Sequence, residues 1–80
     1  MSTPRRLAGA RAARVQATSA GRPLAVDGKQ IAYVRESWLV EDRWWTEQPL
    51  RRRYWELVSA AGRNLVVYHD LASGRWLRQR

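Results

Sequence analysis

Residues 23–40 read PLAVDGKQIAYVRESWLV, two apolar runs joined by Asp27-Gly28. A two-residue hairpin turn of type I′ needs positive φ at both central positions, and Asp-Gly is among the few pairs that tolerate it. The stretch therefore predicts a β-hairpin, with one strand over 23–26 and a long return strand over 29–40. Pro23 has no amide donor, so it fits only the first position of a strand or a sheet edge. Strict alternation in the return strand places Ala32, Val34, Glu36, Trp38 and Val40 on one face. Ile31, Tyr33, Arg35, Ser37 and Leu39 take the other. Both faces are partly apolar, which predicts a bend or bulge near residues 35–37.

Strand character continues outward from this hairpin. In residues 51–59, RRRYWELVS, alternation sets Arg51, Arg53, Trp55 and Leu57 opposite Arg52, Tyr54, Glu56 and Val58. Tyr54, Leu57 and Val58 also have helical i, i+3, i+4 spacing, but the turn signals on either side favour a strand. Ala60-Ala61-Gly62 is a hairpin-length connection. Residues 64–69, NLVVYH, read as a buried strand with Leu65 and Val67 on one face and Val66 and Tyr68 on the other. Residues 70–74, DLASG, turn the chain again, and 75–79, RWLRQ, form a closing strand. Upstream, Ala13, Val15 and Ala17 alternate with Arg14 and Gln16, and 18–21 is turn-rich. Residues 41–50, EDRWWTEQPL, are irregular, with Pro49 holding Gln48 extended. The fold class expected is mostly β: a small antiparallel meander or SH3-like barrel of five to six strands. Residues 12–80 form one domain, and 1–11, rich in Arg and Ala, read as a mobile basic arm. An open sheet edge is expected to permit strand addition or a dimer.

Composition narrows the chemistry. A domain of 80 residues buries a modest core, and with no Cys it has no disulfide to reinforce it. Five Trp and three Tyr, with no Phe, supply the apolar bulk; Trp38, Trp55 and Trp76 are the expected core rings. Fifteen basic residues against seven acids give +8 at pH 7, and only one of the fifteen, Lys29, is not Arg. Arg suits bidentate contact with phosphate or carboxylate, so the basic balance implies a polyanion, an acidic protein surface or an anionic membrane, of which the membrane is not the partner expected. Free use of Arg and Ala by a GC-rich genome gives the same bias. No apolar run has the ~20 residues of a membrane-spanning helix, and the start lacks the apolar stretch of a secretory signal. The expected compartment is the cytoplasm.

Catalysis is hard to assemble from these residues. Ser37, Ser59 and Ser73 lack a nucleophile-elbow context. His69 and Asp70 are strand neighbours and point to opposite faces. A zinc site around His69, the single histidine, needs three further oxygen ligands. No glycine-rich phosphate loop is present. The chain is therefore expected not to be an enzyme, to use no metal or cofactor and to take no small-molecule substrate. Its distinctive pattern is Arg interleaved with aromatics. Arg43, Trp44 and Trp45 form a candidate partner-binding turn, because in an extended pair of Trp one ring points outward and exposed Trp marks interfaces. Arg51, Arg52, Arg53, Arg75 and Arg78, near Tyr54, Trp55 and Trp76, are candidates for binding nucleic acid through phosphate contacts and base stacking.

The stretch from 38 to 78 carries W-x5-WW, then R-x-Y-W-E-L, a Gly turn, and L-V-V-Y-H-D-L-x-S-G-R-W-L-R-Q. Through Trp38, Trp44, Trp45, Arg53, Tyr54, Tyr68, Asp70, Gly74 and Trp76, with Gly21-Arg22-Pro23 upstream, it resembles a small bacterial family of unknown function. That family is itself similar to the C-terminal module of ImuB-type proteins, the inactive Y-family polymerase homologues of the bacterial mutasome. The resemblance implies an accessory to translesion synthesis in DNA-damage tolerance. Its partner is then a Y-family polymerase-like protein or an associated replication protein, with direct DNA binding as the alternative. The matching residues are mostly structural, and no catalytic residue comes with them.

Overall fold

The structure is a computed structural model that describes residues 10–42, 47 and 49–80. Among these residues it is all β: β1 (Arg11–Ala12), β2 (Val15–Ala17), β3 (Pro23–Val26), β4 (Lys29–Asp42), β5 (Leu50–Ser59), β6 (Asn64–Asp70) and β7 (Trp76–Arg78). Every pairing is antiparallel, and the spatial order is β1-β7-β6-β5-β4-β3-β2. The run 51–59, which also had helical spacing, is strand. There are seven strands rather than five or six because residues 11–17 contribute to both edges. β1 pairs with β7, β2 pairs with β3, and only Ala13 and Arg14 separate them. A flat sheet cannot have neighbouring residues at both edges, so this one curls into a half-barrel. The seam is bonded on each side: Ala13 N–H donates to the Trp76 carbonyl at 3.0 Å, and Asp27 N–H to the Arg14 carbonyl at 2.7 Å.

The turn that began the sequence argument has the expected geometry. Asp27 has φ 49° and Gly28 φ 82°, and Val26 faces Lys29 across the two-residue loop. Asp27 is the one non-glycine residue with positive φ among the described residues; aspartate accepts this region more readily than most side chains.

The main core cluster lies on the concave face, while Val58, Val66 and Tyr68 are buried on the convex one. Val26, Leu57, Leu65 and Val67 are buried together, and Ala13, Val15, Ile31, Val34, Trp55 and Trp76 pack against them. Register explains the set: Leu57 lies between Val34 and Leu65, and Trp55 between Ser37 and Val67. Each of the four fully buried side chains, Val26, Leu57, Leu65 and Val67, contributes roughly 1.5–3 kcal/mol by leaving water. Trp38 is not in this cluster, contrary to expectation. β4 carries two irregularities, between Ile31 and Tyr33 and between Val34 and Glu36. An extra residue at each reverses the alternation, so Val34 turns inward while Tyr33 joins Glu36 and Trp38 on the convex face. There Trp38 lies opposite Tyr54 and is 38% exposed.

Candidate functional site

Arg43, Trp44 and Trp45 lie outside the described residues. The arm over 1–11 is described only from residue 10, and its Arg11 is paired with Arg78 in the sheet.

The five Arg proposed for nucleic acid are placed on different surfaces. Alternation along β5 sends Arg51 and Arg53 to the concave side and Arg52 to the convex side, where it faces Val40 and Asp70. Arg51 Nε donates to Glu41 Oε2 at 3.1 Å. Arg52 lies with its guanidinium carbon 4.6 Å from the centre of the Tyr68 ring and donates from Nη1 to the Tyr54 hydroxyl at 3.4 Å. Burial works against the charge on Arg52, but the Tyr54 hydroxyl, Tyr68 and Asp70 more than offset it and hold its pKa above the ordinary value. Arg53 lies between Leu39 and His69, half-buried. Arg75 is exposed in the β6–β7 turn. Arg78 reaches across the seam to Asp27, Nη1 to Oδ2, at 3.2 Å. Spacing alone shows the run of three Arg; it does not show that three of the five are already engaged.

The aromatic residues on the convex face form a continuous row. Trp38 and Tyr54 stack with centroids 5.4 Å apart and planes within 3°, and Tyr54 meets Tyr68 at 5.0 Å with a tilt of 38°. The rings lie one against the next across β4, β5 and β6, so most of their faces are spent on one another. His69 stacks on Trp76 at 4.3 Å and 2°.

The serines and Asp70 are occupied locally. Ser37 Oγ donates to the Tyr54 carbonyl, Ser59 Oγ accepts from Arg63 N–H, and Ser73 Oγ accepts from Arg75 N–H. Asp70 Oδ1 accepts from the Ala72 and Ser73 amides and shapes its turn. Among the described residues no three His, Asp or Glu are grouped to hold a metal ion, and no helix is long and apolar enough to cross a membrane.

The largest unsatisfied feature is an edge. β3 pairs with β4 only through Ala25 with Gln30 and Val26 with Lys29. Beyond Gln30, β4 continues to Asp42 with β5 on one side and, among the described residues, no strand on the other. At about 3.3 Å per residue the open length is roughly 36 Å. Three of the large apolar side chains that remain exposed lie on it: Tyr33 at 53%, Trp38 at 38% and Leu39 at 41%. Past the second irregularity, residues 36–42 pair with β5 without a break. Glu36 opens this regular part and faces Glu56 of β5, so the edge carries a local pair of acids in a protein of net charge +8, while Glu41 is paired with Arg51. The sequence predicts an open edge but not which strand carries it, because that depends on β3 pairing with β4 through two residues only.

No family model, curated protein or solved structure matches this chain.

Proposed function

We propose that the chain is a non-catalytic interaction module that receives an extended segment of a protein partner along the open edge of β4. The observation that carries this reading is the edge itself: unpaired main chain with Tyr33, Trp38 and Leu39 exposed along it. Main-chain hydrogen bonds give such an added strand its affinity, and side chains alternating to either face give it specificity. Native sheets usually blunt a free edge with bulges and charge. Here both irregularities fall before Glu36, and residues 36–42 are left straight.

Charge selects between a peptide and a nucleic acid. A phosphate backbone laid along the edge meets Glu36 with Glu56 beside it and is repelled, whereas a peptide with basic residues is attracted. The segment best suited to the edge is extended, with apolar side chains interspersed with Lys or Arg. The context we propose is cytoplasmic DNA-damage tolerance, with an inactive Y-family polymerase-like protein as the partner; the residue pattern from Trp38 to Trp76 supports it. The experiment is co-purification of that protein with this chain, with and without nuclease. Binding should survive nuclease and fall at least tenfold in the double substitution Tyr33→Lys, Leu39→Lys. Both side chains are exposed, so the fold should survive. Loss of binding on nuclease treatment overturns the reading in favour of direct nucleic-acid binding.

A further inference from the structure

The opposite end of the half-barrel has the opposite charge. There the β3–β4 turn, the β5–β6 turn and β7 converge around a cleft of about 490 Å³. Its walls include Lys29 and Gln30 at the start of β4, Ser59 at the end of β5, Arg63 in the next turn and Arg78 of β7. Three of these five side chains are cationic and none is acidic. The volume falls within the roughly 300–1,000 Å³ of small-ligand sites.

The cleft is held in shape by bonds that leave its cations available. Ser59 accepts the Arg63 amide at 3.2 Å, and its own amide donates to the Arg63 carbonyl at 2.8 Å, which fixes the turn. The Ala60 amide donates to the Gln30 carbonyl at 2.8 Å and ties that turn to β4. Asp27 holds one nitrogen of Arg78 from outside the cleft. The Nε of Arg78 is buried without an acceptor. Lys29 and Arg63 are exposed and form no ion pair among the described residues.

We infer that this cleft binds a phosphate group, with Arg78 as the pre-positioned donor and Lys29 and Arg63 closing on it from two turns. A guanidinium anchored by a carboxylate presents its remaining N–H groups in fixed directions, which suits a tetrahedral oxyanion better than a flexible ammonium does. The phosphate belongs either to a free nucleotide or to a nucleic-acid strand, and the cleft reads the group common to both. The cleft adjoins the open edge at Gln30 but shares none of Tyr33, Trp38 and Leu39 with it, so each can fail alone.

The experiment is titration of the ¹⁵N-labelled chain with inorganic phosphate at constant ionic strength, followed by amide shifts. Saturable shifts are expected at Lys29, Gln30 and residues 59–63, with the Arg78 Nε–H signal moving in step. The double substitution Lys29→Gln, Arg63→Gln should lower the affinity at least tenfold while leaving the rest of the spectrum in place, because both side chains are exposed. Equal shifts with chloride, or shifts that persist in the double variant, overturn the proposal. Two further titrations separate the sources: a mononucleotide that binds as tightly as an oligothymidylate identifies a free ligand, and affinity that rises with oligonucleotide length identifies a strand.

Discussion

Arg78 Nη1 donates to Asp27 Oδ2 across 3.2 Å, joining the last strand to the β3–β4 turn over 51 positions of chain. The second carboxylate oxygen of Asp27 accepts from the Arg14 amide at 2.8 Å. One side chain thus ties three parts of the seam: β7, the segment between β1 and β2, and the turn before β4. A half-barrel with so short a β1 and β2 depends on such a clasp.

The Arg14 amide holds the Asp27 carboxyl below its ordinary pKa of 3.8; partial burial opposes this, and Arg78 and Arg11 add to it. A folded-state pKa below the unfolded one gives stability that is complete above the unfolded value and lost as pH falls through the folded one. Asp27→Asn keeps a residue suited to the turn and removes the charge. Its stability deficit should therefore be present at neutral pH and shrink below about pH 4. Asp27→Ala should cost more, about 1–2 kcal/mol, since it also places a Cβ with no local hydrogen bond at positive φ. The side chain is 37% exposed, so solvent screening keeps the ionic part of that cost small. Thermal unfolding from pH 3 to 7 checks both substitutions.

Leu57 has no exposed surface and lies between Val34 and Leu65 on the concave face. Leu57→Ala should cost about 2–5 kcal/mol. Trp38→Ala should cost clearly less, despite the larger side chain, because Trp38 is stacked on one side only and partly in water. Urea unfolding of the two variants should show that order; the reverse order places Trp38 in the core.

Arg52 is the test of whether the run of three Arg is a binding surface or part of the structure. Arg52→Gln loses the contact with the Tyr68 ring and the bond to Tyr54. Stability should fall by about 0.5–2 kcal/mol, or a few degrees in Tm for a domain of this size. Oligonucleotide binding at low salt should change less than twofold. A large loss of binding with unchanged Tm contradicts this placement.

Local features of the chain were legible in its sequence. Asp27-Gly28 fixed a turn through backbone sterics, and the alternation in Arg51 to Val58 and Leu65 to Tyr68 gave the right faces, since each signal spans only a few residues. The bend expected near residues 35–37 is the irregularity between Val34 and Glu36, whereas nothing marks the one between Ile31 and Tyr33; together they move Val34 to the face of Ile31, and Trp38, which shares a face with Val34 under strict alternation, is left on the opposite side. The double role of residues 11–17 was illegible for a related reason: it depends on β7, more than sixty positions away. For the site, the run of Arg was visible but its partners were not. The open edge of β4 became locatable only once β3 was seen to leave it beyond the Ala25–Gln30 pair.

The central claim is that the edge of β4 beyond Gln30 is where a protein partner docks. Amide hydrogen exchange on the chain, free and bound to the inactive polymerase-like protein, tests it most directly. Free, the amides on the open side of residues 32–41 should exchange rapidly while those bonded to β5 exchange slowly. On binding, the open-side amides should become protected, those of residues 36–41 most strongly. Binding that leaves their exchange unchanged and protects another surface contradicts the account.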